Sequence, residues 1–413
     1  MFSFISRIYQ EYLHSRKIGN DLPNLDTRLD PLISIRKFRD SLTVSHCVQN
    51  TIVTITILFA FYFMELPIWA KILMLFTLLC LVLVPLTAQF FGYSLPVLSW
   101  VFLFFTSKYI PLSMKEPITV TVLPAVETIL YADNLSQILA SYTCTLLDIV
   151  AWIPYGLVHF AMPFIVAGLI WILAPPKTLR NFAWAFGFMN LIGVVIQDLL
   201  FPSAPPWYKV LHGLEKANYS IKGSPGGLGR IDAILGFELY TTNFTNSPLI
   251  FGALPSLHSA CATMDCLWLC YLFPSFTPLW CFYVLWMWFS TMYLTHHYFV
   301  DLVAGSCLAV TLFGIVQISG NLPINDKLCR WSYETIDYYD ALEHDPLRER
   351  TDVLMDTFSE MTSSIDHHSD QSDHSDQPDT PEADPDHFVV DSESDTDSYS
   401  YSNINSASYN MLH

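Results

Sequence analysis

Charge is what this 413-residue chain has least of: Asp, Glu, Lys and Arg together make up 14% of it. So few charges cannot cover the surface of a soluble protein of this size, and the residues that take their place run in apolar blocks as long as a bilayer core. Cysteine supplies no alternative framework. The count of nine is odd, no CxxC pair occurs, and Cys80, Cys261, Cys266, Cys270, Cys281 and Cys307 lie inside apolar segments, where a thiol behaves as a small hydrophobe. Neither a disulfide scaffold nor a metal site is expected, and no cofactor. A cleavable signal peptide is also missing, because residues 1–45 are polar and mixed in charge; the first apolar helix is expected to direct insertion itself. No internal repeat is visible, which weighs against a transporter built from inverted halves.

What the chain does have is 52% hydrophobic and 15% aromatic residues. Apolar runs occupy 46–64, 68–90, 94–110, 146–174, 181–201, 257–274, 278–296 and 298–318, each around the ~20 residues a helix needs to cross hydrocarbon once tilt is allowed. The expected fold is all-α, a polytopic membrane helical bundle of about eight transmembrane helices, with the catalytic domain over 46–320. Arg7, Arg16, Lys17, Arg28, Arg36, Lys37 and Arg39 precede the first run and favour a cytosolic N-terminus. Counting from there returns the link from Pro175 to Arg180 to the cytosol, in keeping with Lys177 and Arg180. The segments 107–145 and 202–256 then face the lumenal side. They contain the three acceptable glycosylation sequons, which begin at Asn134, Asn218 and Asn243.

The net charge of −18 is a property of one end of the chain, so no nucleic-acid partner is read from it. Residues 341–413 hold 18 Asp and Glu against Arg348 and Arg350. A segment so acidic and so poor in aliphatic residues cannot bury enough surface to fold, and 321–413 is expected to be a largely disordered cytosolic tail. Its run Asp391-Ser392-Glu393-Ser394-Asp395 suits acid-directed phosphorylation or a plain solvated tail. His367, His368 and His374 are read as part of that tail rather than as metal ligands.

Chemistry concentrates at two span boundaries. His258, in Pro255-Ser256-Leu257-His258-Ser259, opens the sixth apolar run, and His297 lies between the seventh and the eighth. Only two spans separate them, so they reach one membrane face whatever the count upstream. Asp301 follows His297 by four residues, about one helical turn, and a carboxylate there can accept one imidazole N–H and leave the other nitrogen basic. That nitrogen is a candidate nucleophile toward phosphorus, with His258 as general acid and base. Ser256, Ser259 and the first amides of the sixth span are candidates for holding phosphate oxygens. His159 and His296 are read as structural. Paired histidines could also serve a haem carrier, but those would face each other within spans rather than at span ends beside an Asp.

These residues resemble the type 2 phosphatidic acid phosphatase superfamily, whose second motif is PSGH and whose third is SRxxxxxHxxxD. Here they stand as Pro255-Ser256-Leu257-His258 and as Ser290-Thr291, five residues, His297, three residues, Asp301. Leu257 replaces Gly, Thr291 replaces the phosphate-binding Arg, and no KxxxxxxRP first motif is present. Within the superfamily, Leu123–Tyr131, Phe201–Lys209, Gly223–Asp232 and Tyr293–Asp301 look like the fungal inositol phosphorylceramide synthases, a likeness that spans roughly residues 20–335.

The likeness implies a PAP2-type helical core and transfer of inositol phosphate from phosphatidylinositol to the primary hydroxyl of ceramide, with release of diacylglycerol. It also implies a multi-pass Golgi protein with a lumenal site and a small accessory membrane subunit. Lys209 and Arg230, in the loop on the histidine face, are candidates to replace the missing cation, since Arg grips phosphate through two parallel N–H bonds; each could equally be a solvated loop cation. Asp232 and Glu238 could bond inositol hydroxyls. The competing reading within the superfamily is a lipid phosphate phosphatase with water as acceptor.

Overall fold

The computed structural model describes residues 27–319 apart from Ser41 and Pro175, together with Ser6 and Leu322. The acidic tail, with its Ser/Asp run and its histidines, lies outside the described residues. Among the described residues the regular elements are helices, joined by isolated bridges from Thr119 to Ser203 and from Ser203 to Gly252.

A short helix that the composition did not announce, α1 (Pro31–Asp40), precedes α2 (Val44–Phe63). The chain continues through α3 (Ile68–Leu83), α4 (Pro85–Phe91) and α5 (Leu95–Thr106). The 107–145 segment carries α6 (Val122–Tyr131) and α7 (Leu135–Ser141). Next come α8 (Thr145–Trp152) and α9 (His159–Leu173), continuous through a π-helical turn at Ile153–Val158, and α10 (Pro176–Val195), which ends in a second π turn at Ile196–Leu200. The 202–256 segment folds into α11 (Pro206–His212), α12 (Leu228–Leu235) and α13 (Leu239–Thr245). The bundle closes with α14 (Leu257–Leu272), α15 (Thr277–Tyr293) and α16 (Phe299–Ile318).

Every expected apolar run therefore holds a helix, but helix length alone does not return eight spans. Among the described residues, Val44–Phe63, Thr145–Trp171, Thr178–Leu200 and Phe299–Ile318 are long and apolar enough to cross a membrane, with a fifth if α3 and α4 count together. Those two bend by 96°. The cause is local: Val84 is extended at φ −75°, ψ 122°, as a residue before proline prefers, and Pro85 has no N–H to continue the ladder. The α5, α14 and α15 helices hold 12, 16 and 17 residues; at 1.5 Å per residue they reach ~18–26 Å, short of the ~30 Å hydrocarbon core.

Large apolar side chains on the outer faces of the bundle, among them Ile55, Phe76, Phe164 and Ile318, are exposed, the pattern of helices that contact lipid. The interior is organised around α10 and α14. Phe182, Phe186 and Met189 of α10 pack with Met264 and Trp268 of α14 and Leu312 and Phe313 of α16 in one buried cluster.

The N-termini of helices α14 and α16 lie close together, and Gly305 permits it. A Cβ there would collide with the backbone carbonyl of Ser256, which is not free to move away. Leu257, the departure from the motif glycine, fits because its side chain lies over Gly193 of α10, where a Cβ would strike it. Gly305→Ala is expected to destabilise the protein by about 1–3 kcal/mol, whereas Gly314→Ala, with open space at its Cβ position, is expected to be neutral; thermal unfolding in detergent compares the two.

Candidate active site

Two helix N-termini meet at the site. Ser256 caps α14, its Oγ accepting the Ser259 N–H at 3.3 Å, and its own N–H donates to the Asp301 carbonyl at 3.0 Å. Asp301 in turn caps α16 through Oδ2, which accepts the Tyr298 N–H at 2.9 Å. The carboxylate is fully buried. The same Oδ2 lies 3.2 Å from His297 Nδ1, the one-turn relation that the spacing predicts.

His297 Nδ1 also lies 3.1 Å from the Ala253 carbonyl, which can only accept, so this nitrogen carries the proton. Its Nε2 is left with a free lone pair and stands 3.1 Å from His258 Nδ1. Burial pulls the His297 imidazole down to about 4, with the bond to Ala253 opposing, so the ring is neutral at physiological pH. His258, His297 and Asp301 thus form one hydrogen-bonded chain.

Aromatic rings hold His258 from the side. Tyr155, on the π turn, stacks on His258 at 4.5 Å and 19°, and on His296 at 5.2 Å and 17°. Phe244 stacks on the far side of His296 at 4.6 Å. The result is a four-ring column, Phe244, His296, Tyr155, His258, with His159 tilted against His258 at 4.6 Å. A wide turn is what aims Tyr155 inward: the His159 N–H reaches back five residues to the Pro154 carbonyl. His296 is fastened by Nε2 to the Pro225 carbonyl at 3.1 Å.

The link from α15 to α16 that carries both His296 and His297 is tightly folded. Thr295 has φ 63°, a left-handed conformation that a β-branched residue seldom adopts. The Thr291 carbonyl accepts both the His296 and the His297 N–H, at 2.9 and 3.3 Å. Two loop segments are stitched to this link: the Trp207 N–H donates to Thr295 O and the Gly227 N–H to Leu294 O, each at 2.9 Å. They deliver Lys209 and Arg230 to the site's neighbourhood.

The two cations differ. Arg230 is paired through Nε and a terminal nitrogen with Asp148 of α8, at 2.8 and 2.7 Å, and lies 5.4 Å over the Tyr293 ring, whose hydroxyl donates to the same carboxylate. Lys209 is half-buried, and its ammonium makes no hydrogen bond or ion pair among the described residues. Ser259 Oγ is already committed: it donates to Leu302 O at 2.7 Å, accepts from Trp288 Nε1 at 2.7 Å and lies 2.9 Å from Ser306 Oγ. Asp232 accepts the Tyr240 and Thr241 N–H groups and so caps α13, which is a structural role; Glu238 makes no capping bond with its side chain.

Glu127, on α6, is a functional candidate that spacing could not reveal. It is fully buried, and its Oε1 accepts from Leu135 N at 3.2 Å and from Phe299 N at 3.3 Å, the first turn of the helix that bears Asp301. Its Oε2 has no hydrogen-bond partner among the described residues. Burial pushes the carboxyl up to about 7; the Phe299 amide and Lys209 oppose this, while the charge of Asp301 adds to it. The available signal was an acid inside an otherwise apolar helix, and Asp148 carries the same one.

The family model described as the PAP2 superfamily matches residues 122–315. Inositol phosphorylceramide synthase of Candida albicans is 48% identical over 345 residues, 83% of this chain and 73% of that protein. The inositol phosphorylceramide synthase catalytic subunit of Saccharomyces cerevisiae is 50% identical over 341 residues, 81% of this chain and 84% of that protein. A phosphoinositol dihydroceramide synthase of Bacteroides thetaiotaomicron is 30% identical over 190 residues, 39% of this chain and 60% of that protein. No solved structure matches the chain.

Glu127 gives the fold a pH signature. Its carboxyl binds a proton more tightly folded than unfolded, so the stability it contributes is full below pH 4.5 and is lost as pH rises through about 7. Between pH 5 and 8 the parent is expected to lose up to ~3 kcal/mol relative to Glu127→Gln, measured as the difference in thermal midpoints across buffers.

Proposed function

The chain belongs to the inositol phosphorylceramide synthase family within the PAP2 superfamily, and from that membership we propose how its histidines carry the transfer. As a family member it is a membrane phosphotransferase of sphingolipid synthesis. In the proposed reaction phosphatidylinositol is the donor, the primary hydroxyl of ceramide the acceptor and diacylglycerol the leaving group.

The observation that supports the mechanism is the 3.1 Å approach of His258 Nδ1 to the unprotonated Nε2 of His297. A phosphodiester inserted between the two rings meets a nucleophile on one side and a proton donor on the other. His297 Nε2 attacks phosphorus and the bond to the diacylglycerol oxygen breaks. His258 gives that oxygen its proton. Inositol phosphate stays on His297, whose imidazolium is stabilised through Nδ1–H by Asp301 and Ala253 O. The ceramide hydroxyl then loses its proton to His258 and attacks phosphorus, the P–N bond breaks, and His297 is restored. General acid/base help of this kind is typically worth ~10²–10⁴ in rate. The Tyr155 face beside His258 stabilises the ring whenever it is cationic. The names of the relatives favour this reading over a lipid phosphate phosphatase, as does a site walled by rings that exclude water.

Seated in the Golgi membrane with eight crossings, the enzyme would hold both termini in the cytosol and the histidines in the lumen, beside a small accessory subunit. Lys177 and Arg180 at the start of α10 support that orientation. Of the three sequons, Asn218 and Asn243 are exposed, whereas Asn134 is 3% exposed and caps α7 through Gln137 N. Glycan is therefore expected on Asn218 or Asn243 but not on Asn134 of the folded protein, and a sequon inserted into the 175–180 link is expected to stay bare. Modification of that link reverses the orientation.

Membranes supplied with phosphatidylinositol and a fluorescent ceramide test the chemistry. His297→Ala and His258→Ala are each expected to cut turnover by at least ~10³-fold, and Asp301→Asn by ~10²-fold or more. Full activity of the His297→Ala protein would discard the nucleophile.

A further inference from the structure

One cavity on the loop side of the bundle is lined by none of the histidines. It has a volume of about 580 Å³, within the ~300–1,000 Å³ of small-ligand sites. Its walls come from the turn after α5, the π turn that ends α10, and the loop stretches 218–220 and 247–251. Apart from the end of α10, these are the segments read as lying outside the bilayer on the histidine side. A polar group is what such a cavity can solvate.

The floor is charged and buried. Lys115 Nζ lies 2.6 Å from Asp198 Oδ1 and 2.7 Å from Ser107 O, with the two side chains 6% and 2% exposed. The second carboxylate oxygen, Oδ2, is buried with no hydrogen-bond partner of good geometry among the described residues, the Ser107 hydroxyl being its polar neighbour. A buried acceptor of this kind favours a ligand group that donates to it. Gln197, also in the wall, uses its amide N–H on the Pro255 carbonyl at 2.7 Å, which leaves its side-chain oxygen as a further acceptor. Tyr219, whose ring lies under Lys115 Nζ at 5.3 Å, and Phe251 add aromatic surface, and Lys108 stands exposed at the edge, 4.8 Å over the Tyr109 ring.

Acceptors, an ammonium and ring faces arranged together are what a cyclic polyol needs, since each hydroxyl both donates and accepts while the ring C–H faces want apolar cover. The cavity is also tied to the chemistry. Gln197 holds the carbonyl three residues before His258, and Phe251 lies two residues before Ala253, whose carbonyl bonds His297. We infer that this cavity seats the cyclic polyol headgroup of the lipid donor, leaving its phosphate beside His297. The inference rests on the reading given under Proposed function and names where that donor is recognised.

The test uses the full chain in lipid nanodiscs and phosphatidylinositol that carries a diazirine on its inositol ring. Photolabel is expected on peptides containing Lys108–Lys115, Asn218–Ser220 or Leu249–Phe251, displaced by unlabelled phosphatidylinositol but not by phosphatidylcholine. Label confined to other segments overturns the assignment, and so does displacement by soluble inositol phosphate as effective as by the lipid, which would make this a free-polyol site. Labelling of the cavity in a protein that forms no phosphorylceramide would uphold the site and refute the reaction. In the kinetic arm, Lys108→Glu and Leu112→Trp, both at exposed edge positions, are expected to raise KM for phosphatidylinositol about tenfold while KM for ceramide and kcat stay within about twofold. An unchanged donor KM in both variants, or equal rises for donor and acceptor, overturns it.

Discussion

A single backbone hydrogen bond, from the Ser256 N–H to the Asp301 carbonyl at 3.0 Å, joins the two helix N-termini on which the site is built. His258 stands two residues beyond one end of it, and His297 four residues before the other. If the ends separated, the 3.1 Å approach of the imidazoles would be lost even with every side chain of the site present. The bond depends on Gly305, because any Cβ there would meet the Ser256 carbonyl. Asp301 serves twice: its carbonyl anchors α14 and its carboxylate caps α16 while orienting His297. One residue thus links helix packing to the placement of the His297 ring.

Around this joint the rest of the site is arranged by loops that bond to the α15–α16 link rather than by the bundle itself. Trp207 and Gly227 donate to consecutive carbonyls of that link, so the cations borne nearby are set relative to the histidines, not relative to the membrane. Glu127 extends the same logic from α6, since it accepts from the first amide of α16. A site so tied can move with its helix ends without losing internal register.

The parts legible in the sequence were those governed by fixed spacing. His297 and Asp301 are one turn apart in any helix, and His258 and His297 meet because two helices, α14 and α15, return the chain to the same end of the bundle. Each apolar run became a helix for the same reason. Other features depend on which side chains meet after folding, and no local period encodes that. Tyr155 reaches His258 only because Pro154 widens a turn, and Asn134 is withdrawn from solvent only because it caps α7. The 96° break between α3 and α4 was foreshadowed by Pro85, but hydropathy averages across a proline and so read one run. Ser259 looked like a phosphate ligand by position, yet three neighbours already bond its hydroxyl.

The departures from the superfamily motifs make sense once the charge of the substrate is considered. A phosphate monoester carries about −1.5 to −2 at neutral pH, having a second pKa near 6, whereas a phosphodiester carries a single negative charge. Anchoring the first calls for the paired cations of KxxxxxxRP and the motif Arg; anchoring the second does not. Thr291, where that Arg would stand, is fully buried, with its hydroxyl on Trp288 O at 2.9 Å and its carbonyl holding the histidine link. A cation could not occupy that position without an uncompensated buried charge, whose desolvation costs several kcal/mol. What remains is an unpaired Lys209 and an Arg230 whose charge is shared with Asp148, a weaker electropositive field. On the mechanism proposed above, such a field would retain a diester monoanion through both half-reactions and hold a dianionic monoester poorly, so the same substitutions that blur the motif would favour transfer between alcohols over release of free phosphate.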